Sequence, residues 1–205
     1  MLDVQELVCV RGDRILFEGL TFQAQEGEVL WVEGANGSGK TSLLRILCGL
    51  GSAESGVVRW LGIPLPAARE TLTRDVAYVG HANALKDDLT VRENLGFLAR
   101  LAELDGSDAA VAGAVDAVGL ASRGDLPVRA LSQGQRRRAA LARLWMCRAR
   151  KLWILDEPFS ALDAASVAVL ARLLGEHVSG GGIAVLTTHQ EVELPTGRVR
   201  RLRLA

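Results

Sequence analysis

Sulfur and aromatic rings are scarce in this chain, and each shortage narrows what it can be. The three cysteines, Cys9, Cys48 and Cys147, are odd in number, widely spaced and without a CxxC pair. That excludes a disulfide framework and a zinc ribbon, and it suits small buried thiols in a reducing compartment. Excess charge is absent too: 24 basic residues balance 24 acidic ones, so the basic surplus of a dedicated nucleic-acid binder is missing. No run reaches the roughly 20 apolar residues of a membrane span. The start, MLDVQELVCV, carries Asp3 and Glu6 in place of the basic and apolar layout of a secretory signal. The expectation is a soluble chain that does not insert into a bilayer but is free to sit on a membrane protein.

Apolar residues are abundant. At 49% of 205 residues they build a sizeable core and exclude intrinsic disorder. LDVQELVCV and RILFEGLTFQ alternate like half-buried strands around an Arg11-Gly12-Asp13 turn, and EVLWVEG, GVVRWLG and VAYVG read as further strands. From Leu89 to Arg150 the periodicity turns helical. TVRENLGFLARLAEL, DAAVAGAVDAVGL, with Asp108 as its cap, and SQGQRRRAALARLWMCRAR are the three segments. KLWILDEP and GGIAVLTTH then have the continuous apolar character of buried parallel strands. ALDAASVAVLARLLGEHV is a helix between them, and RVRRLRLA an edge strand. The predicted architecture is one α/β domain over 1–205, with an antiparallel β region at its N-terminus and a helical insertion at about 82–150.

GANGSGKT, residues 34–41, fits G-x-x-x-x-G-K-[ST] and lies between a predicted strand and a predicted helix, as a phosphate-binding loop requires. Free backbone N–H groups from Asn36 to Lys40 can wrap a β-phosphate, and the glycines permit the close approach. Lys40 is placed to reach the β- and γ-phosphates, and Thr41 to put its hydroxyl on Mg²⁺. Asp156 ends an apolar strand, where a carboxylate meets Mg²⁺ through a water. Glu157 follows it as candidate general base. His189 closes the next strand, where an imidazole can help hold the phosphate and the water. His177 reads as an ordinary polar residue. About ninety residues after the glycine loop, LSQGQRRRAALARL sets Ser132 and Gly134 at a helix entrance, a second candidate anion site. Arg136, Arg137, Arg138 and Arg143 on that helix read as a solvated face.

The order GANGSGKT, LSQGQ, LWILDEP, SALD, TTH resembles that of ATP-binding-cassette ATPases over nearly the whole chain. The resemblance implies a P-loop NTPase fold and an ATPase with Mg²⁺ as cofactor. It implies ATP contacts from Gly34, Ala35, Asn36, Gly37, Ser38, Gly39, Lys40, Thr41 and Ser42. It also implies a head-to-tail dimer with a second copy. In that dimer the signature Leu131, Ser132, Gln133, Gly134 and Gln135 meets ATP on the partner subunit, beside the Ser160, Ala161, Leu162 and Asp163 turn. Two anion sites far apart in one chain then become neighbours.

Three positions depart from the family pattern. His81 stands where a glutamine usually touches the metal. Gln133 replaces a signature glycine. No tyrosine lies near residue 11 to stack on adenine, so Arg11 is the candidate substitute, its guanidinium plane lying on the base. YVGHANALKDDLTVRENLGF, LSQGQRRRAALARLW and LWILDEPFSALD are similar to the haem-exporter ATPase subunits of cytochrome c maturation. That resemblance implies a complex with integral membrane subunits on the cytoplasmic face of a bacterial inner membrane. No CxxCH or other haem ligand is evident, so haem is not expected on this chain. Another importer or exporter ATPase would keep the same chemistry with a different cargo. A soluble cassette acting on DNA or ribosomes has less support, because the chain has one cassette and no sustained heptads.

Overall fold

The computed structural model describes residues 1–196 and 198–204. Two sheets organise them. In the first, β1 (Leu2–Arg11) and β2 (Arg14–Ala24) form an antiparallel hairpin, and β4 (Ser55–Trp60) and the short β5 (Ile63–Pro64) extend it in the order β2-β1-β4-β5. The expected alternation along β1 is interrupted. Its register shifts between Gln5 and Val8, with Glu6 at φ 47°. Gly56, at φ 91°, faces this bulge so closely that a Cβ there would lie 2.4 Å from the Glu6 carbonyl; only glycine fits.

The second sheet is parallel throughout. It joins β6 (Val76–Val79), β7 (Leu152–Asp156), β8 (Ile183–Thr187), β3 (Val29–Glu33) and β9 (Val199–Arg203) in the order β6-β7-β8-β3-β9. Both faces are covered, which is why the strands read as continuous apolar runs. Leu30, Ile154 and Val185 point to one core, shared with α1 (Lys40–Leu47) and the first sheet. Trp31, Trp153 and Leu186 point to the other, against α5 (Gln133–Met146) and α6 (Ala164–Ser179). The helix α1 is thus clamped between the sheets with Leu43, Leu44 and Leu47 fully buried. Each such side chain stabilises the fold by about 1.5–3 kcal/mol.

A third apolar cluster lies among α3 (Val91–Leu101), α4 (Asp108–Ala117) and the outer face of α5. α3 opens with a capping box: the Thr90 hydroxyl accepts from the Glu93 amide, and Glu93 accepts from the Thr90 amide. Buried Asn94 ties the preceding loop down, donating to the carbonyls of Lys86, Leu89 and Thr90 and accepting from the Lys86 amide.

The elements depart from the sequence expectations in four places. α4 is capped by Ser107, whose hydroxyl accepts from Ala110, and Asp108 is its first helical residue instead of its cap. α6 starts at Ala164, not Ala161, because the Asp163 carboxylate accepts from the Ser166 amide and stops the helix there. β5 and the short α2 (Arg69–Asp75) have no periodic pattern of their own; α2 is held by Leu72, buried against the first core. Finally, the arginines of α5 are not a solvated face. Arg137 is 4% exposed, and Arg143 donates to the Tyr78 carbonyl. Arg137 donates to the carbonyls of Asp156 and Glu157 at the end of β7, and buried carbonyl acceptors of this kind are what a guanidinium serves inside a fold.

Candidate functional site

The C-terminal ends of β3, β7 and β8 converge on one open cleft. Arg11, Asn36, Gly37, Gly39, Lys40, Thr41, Ser42, His81, Asp156, Glu157 and His189 line it, with Leu16 of β2. Size does not single it out: a hollow of about 700 Å³ along Gln23, Gln25 and Arg200 is roomier, but its lining has no glycine loop and no catalytic-type carboxylate pair.

The loop between β3 and α1 turns through left-handed conformations at Gly37 (φ 82°) and Gly39 (φ 97°). Gly39 also sits tight against the first sheet, since a Cβ there would lie 3.0 Å from Leu16 and Phe17. Lys40 Nζ folds back onto the loop, donating to the Gly34 carbonyl at 2.7 Å and the Ala35 carbonyl at 3.1 Å. The buried Ser38 hydroxyl has no hydrogen-bond partner and lies against Gly34. The Ser38 amide closes the turn by donating to the Ala35 carbonyl at 3.2 Å, and an orphaned hydroxyl in a glycine loop at a helix entrance is an arrangement that an anion completes.

Across the cleft, the Thr41 hydroxyl donates to Asp156 Oδ2 at 2.8 Å, and the Thr187 hydroxyl donates to Oδ1 at 2.8 Å. Asp156 is 2% exposed, so its carboxylate is fixed between two hydroxyls at the end of β7. Glu157 leaves the strand at φ 50°, a left-handed conformation that costs a non-glycine residue about 1–3 kcal/mol. Its amide donates to the carbonyl and hydroxyl of Thr187 at 3.1 and 3.0 Å. The His189 amide donates to Glu157 Oε2 at 3.2 Å, and the His189 Nε2 lies 3.4 Å from Oε1. Oε1 itself is buried with no hydrogen-bond partner.

The signature residues lie outside this cleft. Ser132 caps α5, its hydroxyl accepting from the Gln135 amide while Gln135 Oε1 accepts from the Ser132 amide. Leu131 is buried beneath it in the helical cluster, and Ser132 and Gln133 are exposed. Gly134 abuts the turn before α6: a Cβ there would lie 2.9 Å from the Ala161 carbonyl. Ser160, Ala161, Leu162 and Asp163 therefore sit beside the signature of their own chain, away from its glycine loop.

Sequence reasoning missed two polar residues. Thr187, fully buried, touches both Asp156 and Glu157; its place in TTH beside His189 was the available signal. Arg137 reaches the backbone of the same two residues from α5, and nothing in a run of three arginines marks the middle one as inward. Burial, with the like charge of Arg143, holds its pKa below the ordinary value against the opposing pull of Asp156 and Glu157, but a guanidinium stays charged all the same.

A family model described as ABC transporter matches residues 17–160. The chain belongs to the ABC transporter family. Within the family it is of the CcmA type, an ATP-binding protein with the chemistry of an ABC ATPase. Proteins named cytochrome c biogenesis ATP-binding export protein CcmA are similar along its length. The one from Aromatoleum aromaticum is 52% identical over 93% of this chain and 89% of its own. That of Dechloromonas aromatica is 50% identical over all of both chains. That of Escherichia coli O157:H7 is 45% identical over 100% of this chain and 96% of its own. Among solved structures, an ATP-binding subunit of an ABC transporter superposes with a TM-score of 0.80 at 26% identity, over 92% of this chain and 79% of its own. A dimeric ATP-binding cassette in a post-hydrolysis state with ADP and phosphate superposes at 0.83 over 100% and 96%, at 21% identity, a likeness of fold. ATPases of this family typically pair and work with membrane subunits. Among the described residues, no helix is long and apolar enough to cross a membrane.

Proposed function

We propose that this chain is the ATP-hydrolysing subunit of a membrane complex that handles or exports haem for c-type cytochrome biogenesis. It would act on the cytoplasmic face of a bacterial inner membrane. The observation that carries the reading is the Thr41–Asp156 hydrogen bond of 2.8 Å joining glycine loop to strand end, in a chain 50% identical along its whole length to a CcmA protein. We treat residues 1–205 as one ABC domain, with the helical region at about 82–150 as an insertion on the α/β core.

The glycine loop, Gly34 to Ser42, takes the triphosphate, and Lys40 turns from the loop carbonyls to the phosphate oxygens. Arg11 and Leu16, at the cleft's edge, are placed for the adenine. Mg²⁺ suits the donors present. The Thr41 hydroxyl and the Asp156 carboxylate are hard oxygens facing one cleft, and a magnesium ion takes one or two protein oxygens beside phosphates and waters. His81 lines the same cleft as a third neighbour. When bound, the ion neutralises charge building on the phosphates. The Glu157 carboxylate is the acceptor for a proton of the attacking water, and the His189 amide orients it by donating to Oε2. Water adds to the γ-phosphorus, the bond to the β-bridging oxygen breaks, and ADP and phosphate leave.

The exposed Ser132 and Gln133, with Gly134 behind them, fit the γ-phosphate held by the partner subunit, next to the Ser160–Asp163 turn. Integral membrane subunits dock on the helical region. No nucleic acid is bound, and haem is carried by the partners. The test is a pull-down from solubilised membranes with the Glu157→Gln chain and MgATP, identifying the partners and reading haem absorbance in the same eluate. Haem-handling membrane proteins are expected. A different permease without haem would discard the cargo and keep the ATPase chemistry.

A further inference from the structure

Arg137, on the second turn of α5, is a charged group outside the lining of the reacting cleft and only 4% exposed. Its guanidinium is a two-armed clamp. One arm, Nη2, donates to the carbonyls of Asp156 at 2.9 Å and Glu157 at 2.8 Å. The other, Nη1, donates to the Gly80 carbonyl at 3.1 Å and to Asn83 Oδ1 at 3.3 Å. β6 and β7 are paired neighbours with Val79 opposite Leu155, so the clamp bridges the two points where these strands leave the sheet. Asp156 and Glu157 belong to the reacting cleft; the 80–83 segment includes His81 and Ala82, both exposed. Nε has no partner and is sealed from solvent, so the two outer nitrogens carry every contact.

We propose that Arg137 is a positioning residue that holds Glu157 in its working orientation and couples it to the 80–83 segment. Glu157 has a strained left-handed backbone, and only outside contacts can keep it there. Thr187 holds its amide, and Arg137 holds its carbonyl. Without the second hold the residue relaxes toward ordinary dihedrals and its carboxylate swings from the place where it faces the water. A displacement of the 80–83 segment pulls on the same rigid plane and reaches Glu157 directly. A planar fork is needed, since five acceptors on two sides of one group, the His81 carbonyl at 3.5 Å among them, exceed what a single ammonium point can serve.

The inference rests on the proposed role of Glu157, so the test measures both. The wild-type full chain, Arg137→Gln, Arg137→Lys and Glu157→Gln are each co-purified with the membrane subunits. Each is measured for thermal midpoint, MgATP affinity, KM and kcat. Arg137→Gln is expected to lower kcat about 10- to 100-fold, the cost of displacing a reacting group by about an ångström. Its MgATP affinity should stay within about threefold of wild type, the signature of a lost transition-state contact. Arg137→Lys should shift kcat in the same direction by less, and it replaces the glutamine variant if that one does not fold. If kcat is unchanged, or if kcat, affinity and midpoint fall together, Arg137 is a structural brace and the inference fails. Failure of both variants to fold has the same meaning. If Glu157→Gln keeps wild-type turnover, the role given to Glu157 fails instead.

Discussion

Lys40 shows how a single residue can be poised by its own loop. Its ammonium is satisfied by the Gly34 and Ala35 carbonyls, partners that in its proposed role it would exchange for phosphate at little cost because both are charge-assisted contacts. Lys40→Ala removes the cation and is expected to abolish ATP turnover and weaken MgATP binding at least ~10-fold, a loss of about 1.4 kcal/mol; titration with a fluorescent nucleotide checks it. His177 makes a different statement. Its ring stacks on Trp153 at 4.0 Å and 7°, and burial holds its pKa below the ordinary value, with the hydrogen bond to the Ile183 carbonyl opposing that shift. The folded state therefore favours the neutral ring. This contribution is fully present above the unfolded pKa of about 6.5 and is lost as pH falls from there toward the depressed folded value. Urea unfolding at pH about 8, 6.5 and 5.5 should show His177→Phe losing less stability on acidification than wild type.

Helices here owe their limits to caps more than to periodicity. Thr90, Ser107, Ser132 and Asp163 each accept a hydrogen bond from the first turn that follows, and each sets where its element begins. Thr90→Ala breaks the capping box of α3 and is expected to lower the unfolding free energy by about 1 kcal/mol. MgATP affinity should not change, because Thr90 is remote from the cleft lining. Denaturant midpoints and nucleotide titration together check both halves. Ser132 lacks this separation: it caps α5 and is also the residue we propose meets the partner's phosphate.

The proposed assembly accounts for an arrangement that a single copy leaves unused. The glycine loop, Asp156, Glu157 and His189 meet in one cleft, while Ser132 and Gly134 lie beside Ala161 with no phosphate site of their own. In the proposed head-to-tail pair the two halves would meet twice over. Blocking hydrolysis should therefore lengthen the life of the pair. Glu157→Gln with MgATP is expected to run as a dimer in size-exclusion chromatography with light scattering, and Lys40→Ala to remain a monomer under the same conditions. A strictly monomeric Glu157→Gln chain that binds ATP would remove the dimeric site.

Much of this was legible in the order of residues because the chemistry is local. A glycine loop needs its glycines and lysine within eight positions, and parallel strands covered on both faces must read as apolar runs, as residues 29–33, 152–156 and 183–187 do. The roles proposed for GANGSGKT and LWILDEP rest on adjacency along the chain. Tertiary structure decided what depends on distance along the chain. It turned Arg137 and Arg143 inward, where they donate to the carbonyls of Asp156, Glu157 and Tyr78 near the ends of β6 and β7. It put Thr187 between Asp156 and Glu157, set Gly134 against Ala161, and fixed the bulge of β1 opposite Gly56. Periodicity reports which face of a helix is apolar; it cannot report that a distant strand ends opposite one residue on that face.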